Sequence, residues 1–397
     1  MSLNKTPRAS RLHIGIFGKR NSGKSTLINA LTGHNIALVS DVAGTTTDPV
    51  YKSMEIHGIG PCVLIDTAGF DDIGDLGLLR VEKTKEAAKK TDIALVVCAD
   101  EELSEELKWI SLFKKNKTPV IVVINTMDSL TDVQNIYDFI KKECDEEALI
   151  VNAKTKEGVE QIRDKIIRKL PEDYECKSIT GDLVSAEDTV LLVMPQDIQA
   201  PKGRLILPQV QTIRDLLDKK CIVISCTTDK LKQALDSLKE PPKLIITDSQ
   251  VFKTVYENKP QESRLTSFSV LFAGYKGDIK YYAESAAAIE SLTEDSRVLI
   301  AEACTHAPLE EDIGREKIPA MLRKKIGRGL SVDIVSGTDF PADLSKYDLI
   351  IQCGACMFNR KYVLNRIEEA RKQKIPMTNY GISIAYLSGI LDKIDLN

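Results

Sequence analysis

An α/β protein built on parallel sheets is what this sequence predicts, and three observations predict it. Apolar strand-like runs alternate with helical patterns along the 397 residues. A glycine-rich turn, GKRNSGKST, joins the first of those runs to the first helical pattern. Two polar, turn-rich breaks, at 171–187 and 257–265, separate three stretches that each carry strands of their own. Strand–helix alternation favours parallel strands covered by helices on both faces. The chain is also too long for one ordinary core. Domains are therefore expected over 10–172, 185–257 and 264–397.

The strands are expected at 12–17 (LHIGIF), 62–65 (CVLI), 93–98 (IALVVC), 119–124 (PVIVVI) and 148–151 (ALIV). Later ones are expected at 189–194 (TVLLVM), 221–226 (CIVISC), 243–246 (KLII), 298–303 (VLIAEA), 331–335 (SVDIV) and 348–351 (DLII). Three strands in the middle stretch make a sheet that can hardly bury both faces alone. Pairing across a two-fold axis would cover it; packing in cis against the first domain is the alternative.

Composition narrows the function classes. Apolar residues make up 43% and charged residues 28%, the profile of a soluble globular protein. No apolar run is long enough to span a bilayer. The opening MSLNKTPRASR lacks the apolar segment of a signal peptide and reads as a frayed tail, so a cytoplasmic protein is expected. A net charge of −4 gives no support for nucleic-acid binding, which usually needs a basic face. Nine cysteines in a cytosolic chain are not expected to form a disulfide framework. Cys62, Cys98, Cys144, Cys176, Cys221 and Cys226 are scattered and read as core or bystander thiols. Cys304, Cys353 and Cys356 stand apart.

The turn after LHIGIF has the form G-x-x-x-x-G-K-[ST], between a strand and the helical LINALTG. Glycines let the backbone fold around phosphate, so that N–H groups and a helix N-terminus point at the anion. Gly18, Asn21, Ser22, Gly23, Lys24, Ser25 and Thr26 form the expected cradle. Lys24 should reach the β- and γ-phosphates and Ser25 should hold Mg²⁺. Asp66, Thr67, Ala68 and Gly69 follow CVLI, where a metal-side carboxylate and a γ-phosphate-sensing glycine belong. Asn125 and Asp128, in NTMD, suit guanine recognition, the carboxylate pairing with the base N1–H and amine. Asn152, Ala153 and Lys154 would contact the guanine carbonyl. Each later motif is weak alone; in this order, at these strand ends, they select GTP.

These motifs resemble the branch of bacterial GTPases that includes the tRNA-modification GTPase MnmE. SDVAGTTTD, residues 40 to 48, is similar to that branch's first switch. The resemblance implies that Thr46 joins Ser25 on Mg²⁺ and that Lys24, Thr46, Asp66 and Gly69 carry hydrolysis. It also implies K⁺ on Asn21 and on the carbonyls of Ser40 and Val42, a cation doing the work of an arginine finger. Three positions depart from the pattern: Thr47 replaces an arginine, Thr126 a lysine that packs over the guanine, and Phe70 a water-orienting glutamine. Asp71, Asp72 and Asp75 read as solvated switch residues. Slow, K⁺-stimulated hydrolysis is expected, which suits a switch.

EACTHAP places Cys304 and His306 after one strand, and DLIIQCGACM places Cys353 and Cys356 after another. If those strands are parallel neighbours or near-neighbours, their carboxyl ends bring both loops to one crevice. A C-x-x-C at a helix start offers two thiolates beside N–H groups, and Gly354 and Ala355 leave room for a bulky ligand. Three thiolates suit zinc or an iron–sulfur cluster. A closed zinc site wants a fourth ligand, and no fourth cysteine is near. A [4Fe–4S] cluster tolerates an exchangeable one, with His306 the first candidate and Glu310 or Glu311 the substitutes. A thioredoxin-like redox pair would leave Cys304 idle.

A GTPase followed by C-x-H and then C-x-x-C-M resembles the HydF family, the maturation GTPases of [FeFe]-hydrogenase. MPQDIQAPKGRLILPQVQTIRDLLD, residues 194 to 218, is similar to the centre of that family's dimerisation domain, and SFSVLFAGYKGD, residues 267 to 278, to the opening of its cluster domain. The histidine common before the C-x-x-C is here Gln352. The resemblance implies a P-loop GTPase domain, a small α/β dimerisation domain and a parallel-sheet, Rossmann-like cluster-binding domain. It implies a homodimer that carries a [4Fe–4S] cluster on Cys304, Cys353 and Cys356. It also implies a diiron precursor received from radical-SAM maturases and delivered to apo-[FeFe]-hydrogenase, with Arg360 and Lys361 as candidates to hold the precursor's ligands. The rival readings are an RNA-modification or ribosome-assembly GTPase with an appended zinc site, and a stand-alone redox enzyme using Cys353 and Cys356.

Overall fold

The structure, a computed structural model, describes residues 7–32, 49–56, 59–70, 75–126, 132–170, 178–195, 205–303 and 313–396, without the side chains of 75–78. The chain forms two compact units, residues 1–175 and 176–397.

The first unit holds strands β1 (Leu12–Gly18), β2 (Val50–Ile56), β3 (Gly60–Asp66), β4 (Ile93–Cys98), β5 (Val120–Asn125) and β6 (Leu149–Val151) in one sheet ordered β2-β3-β1-β4-β5-β6. Every pairing is parallel except β2 with β3. The helices are α1 (Lys24–Thr32), α2 (Asp75–Lys89), α3 (Ser104–Lys115), α4 (Val133–Cys144) and α5 (Val159–Arg168). β1, β4 and β5 are buried along their length, because both faces of the sheet are covered. Ile14, Ile16, Leu95, Val97 and Ile121 face Leu27 and Ile28 of α1 and Ile162 and Ile166 of α5. Their neighbours in sequence, Phe17, Val96, Val122 and Ile124, face Trp109 and Phe113 of α3 and Ile136 and Ile140 of α4.

The second unit begins with β7 (Thr189–Val193), β8 (Ile222–Cys226), β9 (Leu244–Thr247) and β10 (Arg264–Ser267), a parallel sheet ordered β10-β9-β7-β8. With it come α6 (Leu207–Asp218), α7 (Leu231–Asp236), α8 (Phe252–Asn258), α9 (Phe268–Lys276) and α10 (Ile279–Ala286). The expectation that this sheet needs a partner to cover its faces does not hold. Val190, Leu192, Leu244 and Ile246 pack against Leu216, Phe268, Leu271 and Phe272. On the other face, Leu191, Val193, Ile245 and Leu265 share a core with Phe252, Tyr282, Leu299 and Ile350.

A third sheet, ordered β12-β11-β13-β14, comprises β11 (Arg297–Ala301), β12 (Ser331–Val335), β13 (Leu349–Gln352) and β14 (Met377–Asn379), all parallel. Its helices are α11 (Ile318–Ile326), α12 (Arg360–Lys372) and α13 (Tyr380–Leu387). The chain leaves β11 for β12 on one side, then crosses to β13 on the other. The gap between the carboxyl ends of β11 and β13 is therefore a topological switch point, where parallel sheets open a crevice.

α9 links the second and third sheets. Ser267, the last residue of β10, caps it by accepting from Val270 N–H at 3.2 Å. Phe268, Leu271 and Phe272 belong to one core, and Val270 and Ala273 to the next. A helix apolar on all sides must be buried on all sides, and its last residue, Lys276, is carried inside with it at 2% exposure.

Candidate functional site

At the carboxyl end of β1 the chain turns sharply through Gly18 to Gly23 and enters α1. A side chain at Gly18 would sit 2.6 Å from the Val97 carbonyl oxygen and 2.7 Å from Ser22 Oγ. Gly23 has φ +86°, a conformation that favours glycine. Asn21, at φ +59°, stands exposed on the crest of the turn. Lys24 is buried, and its ammonium donates to the carbonyls of Gly18 (3.0 Å) and Lys19 (2.6 Å), which puts positive charge inside the turn.

Asp66 ends β3 beside this turn and accepts from Ser25 Oγ at 2.9 Å through Oδ2. Burial pushes its carboxyl above the usual range, against the pull of the Ser25 bond and the Lys24 charge. Its Oδ1 is buried with no hydrogen-bond partner among the described residues. A carboxylate with one orphaned oxygen next to a hydroxyl is a donor set that fits Mg²⁺. Thr67 is anchored by donating to Ile16 O at 2.7 Å, and Gly69 follows, buried.

Asn125, at the end of β5, is fully buried and braces the site from below. Its Nδ2 donates to Ser22 O (2.9 Å), and its Oδ1 accepts from Ala153 N–H (3.1 Å). One side chain thus ties the phosphate turn to the loop after β6. Asn152 is equally committed: Nδ2 donates to Thr126 O at 2.8 Å, and Oδ1 accepts from the amides of Lys154 (3.0 Å) and Thr155 (2.9 Å). Lys154 itself is exposed at the rim. Phe70 is 5% exposed. It is buried in the α3 core, stacked on Trp109. Thr46, Thr47, Ser40, Val42, Asp71, Asp72 and Asp128 lie outside the described residues, as does the side chain of Asp75.

In the third sheet, Ala301 of β11 lies opposite Gln352 of β13, and Cys353 N–H donates to Ala301 O at 3.0 Å. The two strands are immediate neighbours, as the crevice argument requires. Cys353 Sγ accepts from the amides of Ala303 (3.0 Å) and Ala355 (3.4 Å). Burial pushes its thiol up to about 11, although both amides pull it down. N–H donors aimed at a sulfur favour its thiolate form and oppose the effect of burial. Among the described residues, no group of three or more histidine, cysteine or carboxylate side chains comes together that could hold a metal ion.

Cys353 and Cys356 do not lie at a helix start. Asn359 is the N-cap of α12, and the thiols occupy the loop before it. Nor does Ala355 leave room for a ligand: it is 2% exposed, with its backbone at φ +50° and its methyl in the core. Gly354 does face open space. Cys304, His306, Glu310 and Glu311 lie outside the described residues, as does Cys176. Flanking residues 304–312, Arg315 Nη2 donates to Glu302 Oε2 at 2.9 Å. Of the remaining thiols, Cys62, Cys98 and Cys221 are buried, while Cys144 and Cys226 are partly exposed.

Two buried cations beneath the 352–358 loop escaped the sequence reading, which pointed to Arg360 and Lys361 in the first turn of α12. Lys276 reaches the loop from α9, and its Nζ donates to the carbonyls of Ala355 (3.0 Å), Cys356 (3.2 Å) and Phe358 (2.7 Å). Arg366, from α12, lies 4.7 Å from the ring centre of Phe358, and its Nη1 is 3.5 Å from Gln352 Oε1. Each carried a faint signal: Lys276 ends an apolar helical run, and Arg366 falls on the buried stripe of its helix with Tyr362 and Ala370.

The strand order, the phosphate turn and the motifs at the carboxyl ends of β3, β5 and β6 define the first unit as a P-loop GTPase domain. Residues 13–126 match the 50S ribosome-binding GTPase family. Residues 179–277 match the hydrogen maturase F dimerization domain, and residues 280–394 the hydrogen maturase F tetramerization domain. The chain belongs to the hydrogen maturase F family.

Among curated proteins, the tRNA modification GTPase MnmE of Clostridioides difficile strain 630 is 37% identical over 154 residues, 38% of this chain and 33% of that one. GTPase Der of Wolinella succinogenes is 44% identical over 124 residues, 30% of this chain and 26% of that one. The chain thus spans a third or less of these relatives' length. Among solved structures, a variant of Era from Aquifex aeolicus bound to GDP·AlF4⁻ superposes with a TM-score of 0.36 at 20% identity, over 56% of this chain and 97% of that one. No helix among the described residues is long and apolar enough to cross a membrane.

Proposed function

We propose that this chain is a scaffold and carrier in the maturation of [FeFe]-hydrogenase. Three domains, over 10–172, 185–257 and 264–397, divide the work: a regulatory GTPase, a dimerisation element and a cluster-binding element. A [4Fe–4S] cluster is held by Cys304, Cys353 and Cys356, with His306, Glu310, Glu311 or an exchangeable group as fourth ligand. The diiron precursor comes from radical-SAM maturases and goes to apo-hydrogenase. The observation that carries this reading is the thiol loop at the β11/β13 switch point, where two backbone amides point at Cys353 sulfur, within a chain of the hydrogen maturase F family. When bound, the cluster supplies an iron to which the precursor can be tethered.

In the nucleotide site, Lys24 neutralises phosphate charge, and Ser25, Thr46 and Asp66 serve Mg²⁺. Asn125, Asp128, Asn152, Ala153 and Lys154 shape the guanine pocket. Asn21 and the Ser40 and Val42 carbonyls hold K⁺ in place of an arginine finger. Turnover is slow, because the residue after Gly69 is a buried phenylalanine and cannot orient water. Nucleotide state then biases partner exchange, which needs a different affinity in each state. The protein acts in the cytoplasm, independently of membrane and nucleic acid.

Two copies associate through β8. This strand is a sheet edge, Ile222 on it is 56% exposed, and unpaired edges invite strand pairing.

Activation of apo-hydrogenase by the protein co-expressed with the other maturases tests the whole reading. Iron- and sulfide-loaded protein that fails to activate would sink the carrier role. Zinc in place of iron and sulfide would favour the appended-zinc alternative.

A further inference from the structure

The loop that carries Cys353 and Cys356 is underlain by two buried cations, and among the described residues neither is paired with a carboxylate. Lys276 is 2% exposed and directs its ammonium at three carbonyls of this one loop. Arg366 is 4% exposed and packs among the rings of Phe340 (4.7 Å), Phe358 (4.7 Å) and Tyr362 (5.0 Å). It donates to Gly337 O at 2.6 Å and reaches Gln352 Oε1 at 3.5 Å, while its Nε is buried without a partner. Carbonyls satisfy hydrogen bonds but supply no counter-charge. A buried, unpaired charge is strongly unfavourable until an opposite charge arrives. Both lie against the 352–358 segment, Lys276 on its carbonyls and Arg366 on Gln352 and the Phe358 ring.

We propose that Lys276 and Arg366 are the counter-cations of the thiol loop, fixing its backbone and offsetting the negative charge of a thiolate-ligated cluster, so that they set its reduction potential. This rests on the reading that the loop holds an iron–sulfur cluster. Both are positioning residues, since they act through the loop and not on the sulfur atoms. Net charge and nearby donors are among the factors that set cluster potentials. Reduction adds a negative charge, so a fixed cation nearby stabilises the reduced state.

The test is the cluster's midpoint potential, read by electron paramagnetic resonance during a redox titration of the full chain, with iron and sulfide measured on each sample. Lys276→Met and Arg366→Met should each lower the ratio of reduced to oxidised cluster about tenfold at a fixed potential, or about 59 mV for one electron. Arg366→Lys keeps the charge but not the guanidinium's packing among the rings, so it should hold the potential close to the parent's where Arg366→Met does not, which separates charge from packing. If Lys276→Met does not fold, Arg366→Met carries the same decision. A cluster-bearing parent whose folded Met variants keep its potential overturns the inference alone. A parent with neither iron nor sulfide overturns the cluster reading and this inference with it.

Discussion

The ring of Phe70 lies 5.6 Å from that of Trp109, with 20° between their planes. Phe70 directly follows the Asp66–Gly69 motif, and Trp109 is the single tryptophan of the chain. Its emission therefore reports on the position where a γ-phosphate would be sensed. Replacing GDP by a non-hydrolysable GTP analogue should change that emission, and Phe70→Leu should abolish most of the change. Identical spectra in the two nucleotide states would mean that Phe70 stays on α3 throughout.

Ser25 and Asp66 share a hydrogen bond of 2.9 Å at the place assigned to Mg²⁺. Ser25→Ala should lower GTP hydrolysis on the order of 100-fold, the scale of losing one preorganised charge-stabilising contact. Phosphate release measured across a Mg²⁺ titration checks it, and a variant of unchanged rate and unchanged Mg²⁺ dependence would remove Ser25 from the metal site.

Asn125 is the brace between the phosphate turn and the loop after β6. Asn125→Ala leaves Ser22 O and Ala153 N–H without this partner in a buried place, at a cost of about 2 kcal/mol. For a unit of this size that is a Tm lower by about 4–8 °C. Calorimetry of the nucleotide-free protein reads it directly. Nucleotide affinity should fall as well, because both tethered segments line the pocket.

The GTPase unit should lose stability in alkali. Burial pushes the Cys62 thiol from an ordinary value of 9.0 up to about 12, and pushes Cys98 well above the same value. A raised folded-state value means that the folded form keeps a proton the unfolded chain releases. The stability from these thiols is complete below about pH 9 and is lost as pH rises toward 12. Each group contributes a slope of about 1.4 kcal/mol per pH unit within that window. Urea midpoints taken between pH 8 and 10.5 should fall in the parent and fall less in Cys62→Ala. Parallel curves would show that the thiol does not titrate.

What the sequence made legible follows from how each segment is buried. β1, β4 and β5 are covered on both faces, so they read as unbroken apolar runs. β2 is an edge strand with alternating polar residues, and β10 and β14 are four and three residues long, so none of them stood out. The phosphate turn was readable because all its parts are contiguous. The thiol loop was readable only as thiols. The amide of Ala303 that reaches Cys353 comes from 50 residues away, and Lys276 lies 79 residues from the first carbonyl it binds. Contacts of that kind leave no local pattern. The same limit explains the sheet around β7: its faces are filled by α9 and by the neighbouring core, and strand counting along the chain could not foresee that.

The two hydrogen maturase F domains are named on either side of a short seam, one ending at residue 277 and the next beginning at 280. Lys276 falls on the first side, and the carbonyls it binds at Ala355, Cys356 and Phe358 fall on the second. A fragment that starts at the seam would keep the segment that carries Cys353 and Cys356 and lose the lysine its carbonyls bind. The seam therefore separates two matched domains but not the lysine from the loop it holds, and a cut there would break three hydrogen bonds at once.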